Sequence, residues 1–211
     1  MPLLNRIVEN QAALSSYKAT QNEDEAVQLE LLIEQTKPKN RFFEWHPLIA
    51  TPFRYSPPHP QARFRPPYGR NVFYGTTHHE TALYEHAYHF MKQRKHLAIE
   101  TETGLRTLFT VKTHDKKATR INHLPEASQL LNPNDYTYSQ DFILNHPHHD
   151  FIYYPSVRDP EHRENAAVLN IHHLDKKPLT EQTIKFFYDN RSQCLHWLDE
   201  KLAIEWNQVN L

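Results

Sequence analysis

Two stretches of this 211-residue chain carry side chains suited to chemistry. The first holds Arg54 and Tyr55, then Arg63, Tyr74 and Glu85; the second is Tyr154-Pro155-Ser156-Val157-Arg158. Together they offer guanidinium forks, an aromatic ring, one carboxylate and one hydroxyl. Guanidinium groups bind anionic oxygens bidentately, so Arg54 and Arg63 suit a pyrophosphate. The face of Tyr74 suits a heteroaromatic ring. A carboxylate such as Glu85 stabilises the positive charge that builds on a ribose as it loses a leaving group. Where that leaving group is a pyridinium it departs neutral, and no general acid is needed. Ser156 both donates and accepts, as an amide or a sugar hydroxyl requires. In kind, these are the demands of breaking the nicotinamide–ribose bond of NAD. On residue types alone a plainer reading prevails, with Tyr74 in the core, Arg63 a surface cation and Ser156 the cap of a turn.

The elements that must position these groups follow from periodicity and breakers. Residues 3–19 and 22–36 read as two helices; in the second, Asn22 precedes Glu25 by the spacing of a capping box. Seven prolines between Phe42 and Gly75 forbid a long helix there, while Phe53, Tyr55, Phe64 and Tyr68 indicate a packed loop. Asn71–Tyr74 reads as a strand, and Thr77 with Glu80 as a capping box opening a helix over about 78–93. Glu85 lies off the centre of that helix's apolar face, beside the core. Strands are expected at 105–111, 118–122, 151–154 and 166–171, and short helices at 124–131 and 139–145. A long helix is expected from Thr180, carrying Ile184, Phe187, Cys194, Leu195, Leu198 and Leu202. Strands and helices without regular alternation predict an α+β fold.

Composition sets the remaining bounds. The length suits one domain with an appendage. A formal net charge of −1 provides no global field toward nucleic acid or membrane. The single cysteine, Cys194, excludes an internal disulfide and reads as buried on a helix. The start Met1-Pro2-Leu3-Leu4-Asn5-Arg6 has none of the features of a secretory signal, which predicts a cytoplasmic chain. The 16 histidines do not fall into a zinc-protease pattern, so no metal is expected. Glycine-rich phosphate loops and a nucleophile elbow are also missing.

The ordered set of short runs resembles the RES-domain family. The matching pieces are Phe53-Arg54-Tyr55, Ala62-Arg63-Phe64-Arg65-Pro66-Pro67 and Val72-Phe73-Tyr74. They continue with Glu80-Thr81-Ala82-Leu83-Tyr84-Glu85, Ile152–Arg158 and Asn165-Ala166-Ala167-Val168-Leu169. The resemblance covers about 45–175. It implies a mixed-sheet cleft flanked by helices, similar to ADP-ribosyltransferase toxins, in a RES domain over 41–211 with a C-terminal helix. Residues 1–40 form a helical appendage in this reading. It also implies a toxin of a toxin–antitoxin pair that consumes NAD by hydrolysis or phosphorolysis, or transfers ADP-ribose to a protein. A catalytically inactive interaction protein of the same fold is the alternative. The implied partner is an Xre-type DNA-binding antitoxin, with no direct nucleic acid or membrane contact; homo-oligomerisation is left open. By position, Glu85, Tyr74 and Arg63 are the implied catalytic residues, and Arg54, Tyr55, Arg63, Tyr74 and Ser156 the implied NAD-binding ones. The chain departs from the family where His162-Arg163-Glu164 stands in place of a turn glycine.

Overall fold

A computed structural model describes residues 2–10, 22–36, 41–114 and 118–210. The strands are β1 (Leu3–Glu9), β2 (Phe73–Thr76), β3 (Thr101–Lys112), β4 (Thr119–Arg120), β5 (Phe151–Pro155), β6 (Glu164–Val168), β7 (Thr180–Asp189), β8 (Cys194–Trp197) and β9 (Leu202–Glu205). The α-helices are α1 (Glu23–Thr36), α2 (Pro47–Arg54), α3 (His79–Arg94), α4 (Ala127–Leu130), α5 (Thr137–Asn145) and α6 (Trp206–Val209). The strands form one mixed sheet in the order β4-β5-β6-β2-β1-β3-β7-β8-β9. Only β4 and β5 run parallel; the other neighbours are antiparallel.

Strand alternation sends side chains to two faces. Phe151, Tyr153, Ala166 and Val168 join Leu4, Phe73, Phe109 and Val111 beneath Leu48, Ile49 and Phe53 of α2. On the opposite face Ile152, Tyr154 and Ala167 meet Phe64, Ile121, Leu130, Phe142 and Ile143. Farther along that face, Leu108, Ile184, Phe186 and Tyr188 pack against Ala82, Leu83, Ala87, Phe90 and Met91 of α3. The first four residues of β5 are therefore buried on both faces.

The expected helix over 3–19 is not what forms. Residues 3–9 are β1, seated inside the sheet between β2 and β3, and 11–21 lie outside the described residues. Leu4 faces the α2 layer while Ile7 faces the α3 layer, so both faces are apolar and the strand's period is hidden. The helix expected at 22–36 is present as α1, with Asn22 Oδ1 accepting from the Glu25 N–H at 2.9 Å. The long C-terminal helix is replaced by β7, β8, β9 and the one-turn α6. Ile184, Phe186 and Tyr188 alternate into the core, and aromatic and β-branched residues fit a pleated surface better than a helix. Cys194 is buried as expected, but on a strand. The helix at 78–93 is α3, yet His78 rather than Thr77 caps it; Thr77 donates instead to the Glu164 carbonyl of β6 at 2.9 Å. Among the described residues no helix is long and apolar enough to cross a membrane.

Candidate functional site

β1 and β2 share a single pair, Asn5↔Thr76, and beyond it their ladder stops. Arg6 spans the gap, its Nη1 donating to the Tyr74 carbonyl at 3.0 Å. A cleft of about 340 Å³ opens here, with Arg6 of β1, Tyr74 of β2, Glu85 of α3, Asn165 of β6 and the loop residue Arg63 in its walls. Gly75 also lines it, and a Cβ at that position would stand 3.0 Å from the Cβ of Leu4, so the close approach of β1 there favours glycine.

Glu85 is the only carboxylate among the residues lining the cleft. Its Oε1 accepts from Ser156 Oγ at 2.7 Å and from Asn165 Nδ2 at 2.5 Å. Ser156 is fully buried just past the end of β5. Its oxygen already accepts the backbone N–H groups of Arg158 (3.1 Å) and Asp159 (3.0 Å), so its proton points to Glu85. Ser156 does not line the cleft; it aims the carboxylate that does.

The loop carrying Ser156 is closed without glycine. His162 stands at φ 51°, in the left-handed region, and its Nδ1 lies 2.9 Å from the Ser156 carbonyl. Asp159, fully buried, accepts Thr81 Oγ1 at 2.7 Å and Arg163 Nη1 at 3.0 Å, which ties the loop to the first turn of α3. The same helix carries Glu85 one turn on. The loop after β5 is therefore closed and hydrogen-bonded with His162 in the left-handed position.

Arg63 lines the cleft, but its guanidinium grips the protein. It donates to the Leu130 carbonyl and, at 2.8 Å, to that of Asn132, with the Tyr136 ring 5.1 Å away. Phe64 beside it is fully buried at φ 59°, a costly conformation for a bulky residue, and it turns the chain so that Ala62 and Arg65 bond to each other. Tyr74 donates its hydroxyl to the Arg63 carbonyl, and Arg65 lies 5.9 Å from its ring. Burial holds the Tyr74 phenol well above its ordinary pKa, so it stays protonated. Burial, with Arg65 next, brings Arg6 down to about 10, so it remains a cation at neutral pH. Among the described residues, the arginines that line the cleft, Arg6, Arg63 and Arg158, have no carboxylate partner. The cleft is thus cationic around a single negative group.

Arg54 and Tyr55 stand apart from this site. Arg54 ends α2, which covers the other face of the sheet, and neither residue lines the cleft. The Tyr55 carbonyl accepts from Asn71 Nδ2 at 3.0 Å. Several cleft residues escaped the sequence reading. Arg6 was hidden by the helical reading of its segment. Asn165, Tyr136, His86 and His89 lacked a motif; Asn165 stands first in the run 165–169 that follows the serine block. His86 accepts from Arg106 Nε at 3.2 Å, and burial followed by the Arg106 charge pushes its pKa down to about 3. Among the described residues no group of three or more His, Cys, Asp and Glu is arranged to hold a metal.

Comparison with known proteins gives one family. A family model described as the RES domain matches residues 40–189, which includes α2 through β7 and every cleft residue named above except Arg6. No curated protein matches the chain.

Proposed function

From the premise that the chain belongs to the RES-domain family, we propose that its cleft binds NAD and breaks the nicotinamide–ribose bond. The observation that carries this reading is the isolation of Glu85: one carboxylate, oriented by two donors, in a cleft whose other charges are arginines. A pyrophosphate complements the cations, and an oxocarbenium-like ribose complements the carboxylate.

In this mechanism the bond between C1′ of the ribose and the pyridinium nitrogen breaks, and its electron pair neutralises the pyridinium. Neutral nicotinamide leaves without a proton. Glu85 Oε2, which has no partner among the described residues, faces the cation that remains. Ser156 and Asn165 hold Oε1 and so fix the direction of Oε2. Tyr74, protonated and anchored on the Arg63 carbonyl, offers its ring to nicotinamide. Arg6 and Arg65 attract the pyrophosphate, while Arg63 braces the loop. Water, giving up a proton to solvent, or phosphate then forms the new bond to C1′, releasing ADP-ribose or its 1-phosphate. In the cell this activity belongs to the toxin of a toxin–antitoxin pair, with an Xre-type antitoxin as the partner that blocks the cleft.

The test is to incubate the purified chain with NAD, with and without phosphate, and identify products by mass. Free nicotinamide with ADP-ribose or its 1-phosphate supports the reading, and the phosphate dependence selects the acceptor. ADP-ribose attached to protein points to transfer instead. Unchanged NAD in all arms overturns the enzymatic reading.

A further inference from the structure

Asn165 has a polar atom that the described residues leave unmet. Its residue is 3% exposed, and its Oδ1 is buried with no hydrogen-bond partner among the described residues. Its Nδ2 donates to Glu85 Oε1, and this fixes the amide's orientation, because a carboxylate only accepts. Turning the amide over would set two oxygens against each other. The backbone around it is equally fixed: Asn165 pairs with Thr76 on one side and Tyr154 on the other.

The carboxylate beside it is similarly divided. Oε1 is saturated by Ser156 and Asn165, and Oε2 is uncommitted among the described residues. Glu85 and Asn165 both line the cleft, and each keeps one acceptor uncommitted among the described residues, Glu85 Oε2 and the buried Asn165 Oδ1. A buried amide oxygen without a donor is costly, and an arrangement that tolerates one is explained by a ligand that supplies it. Two acceptors on residues joined by a hydrogen bond call for a ligand with two donors close together. An anionic group is repelled there, whereas a vicinal diol fits.

We propose that Asn165 is a substrate-contact residue whose Oδ1 accepts one hydroxyl of a ribose cis-diol while Glu85 Oε2 accepts the other. The proposal deepens the reading of the cleft as an NAD site and rests on it. It assigns Asn165 two tasks at once: Nδ2 orients the carboxylate and Oδ1 reads the sugar.

The experiment measures binding, so that it does not depend on turnover. Carbocyclic NAD analogues, in which the ribose ring oxygen is carbon and the scissile bond is inert, are titrated calorimetrically into the full chain. One analogue keeps both hydroxyls on the nicotinamide side, and two others lack one hydroxyl each. Wild type loses about tenfold in affinity for either deletion. In Asn165→Ala one of the two deletions becomes silent, within about twofold, and the other still costs about tenfold. If both deletions keep their full cost in Asn165→Ala, the contact does not exist and the proposal is overturned. Asn165→Ser is measured alongside, so that a poorly folded alanine variant leaves a second reading. Binding with the expected pattern but no nicotinamide released from NAD sinks the enzymatic reading alone. Absence of binding by any analogue sinks both.

Discussion

Ser156 and Glu85, 71 residues apart in the chain, meet through one hydrogen bond of 2.7 Å whose direction is dictated by the protein backbone. The Ser156 oxygen is occupied by two N–H donors, so its single proton has one destination. This makes the orientation of Glu85 a property of the loop after β5 rather than of α3 alone.

Glu85→Gln removes the charge and keeps the shape. Nicotinamide release from NAD falls at least about a hundredfold, because the charge on the ribose loses its counterpart. The thermal midpoint by circular dichroism stays within a few degrees of wild type. Wild-type turnover in this variant removes Glu85 from the mechanism.

Ser156→Ala strands the N–H groups of Arg158 and Asp159 and frees Glu85 Oε1 from one of its two donors. Stability drops by about 1–3 kcal/mol, the cost of unmet buried donors. Turnover falls less than in Glu85→Gln, since Asn165 still holds the carboxylate. Urea denaturation and nicotinamide release, measured together, separate the two effects.

Arg63→Lys replaces a planar fork by a point charge. One of the two carbonyls, Leu130 or Asn132, loses its donor, and unfolding free energy decreases by about 1–3 kcal/mol although charge is conserved. A urea midpoint equal to that of wild type contradicts the bracing role.

His162 tests whether the glycine-free loop is sound. His162→Gly gives back the left-handed backbone freely but loses the ring contact to Ser156, so stability changes by less than about 1 kcal/mol. His162→Val forces a β-branched residue to φ 51° and costs about 1–2 kcal/mol. Equal stabilities for the two variants mean that the left-handed conformation is not imposed.

His86 governs part of the pH dependence. Its pKa is about 3 in the folded chain, against an ordinary 6.5, chiefly through burial and then the charge of Arg106. The unfolded chain therefore binds the extra proton between these values, and stability rises with pH across that window. The His86 contribution is complete above about 6.5 and is lost as pH falls toward 3. His86→Gln reduces the drop in melting temperature between pH 7.5 and pH 5 relative to wild type. An unchanged drop assigns the effect to other histidines.

The centre of the chain was legible because local signals agreed with tertiary structure there. The apolar run at Phe151–Tyr154, the apolar face of α3 and the end of β5 at Pro155 all survive in the fold. Of these segments, α3 carries Glu85 and the end of β5 leads directly into Ser156. The two ends were misread for different reasons. β1 lies between two apolar layers, so Leu4 and Ile7 mimic helical spacing. In the C-terminal hairpins the turns use Gln193 and Lys201 at φ 52° and 51°, positions that glycine commonly marks. Without that punctuation, Ile184, Phe187 and Leu195 look like one continuous helical face. Arg54 and Tyr55 suit NAD binding by residue type and by their place in the family pattern, but α2 ends at Arg54 on the far side of the sheet.

The place of β1 between β2 and β3 has a consequence for biosynthesis. Its main partner runs from Thr101 to Lys112, so Leu3↔Lys112 must wait for most of the intervening chain to leave the ribosome. The second donor to Glu85 emerges later still, at residue 165. A nascent or truncated chain ending before that point lacks the second donor to Glu85, so the carboxylate is held from both sides only once β6 has been made and can zip into the sheet.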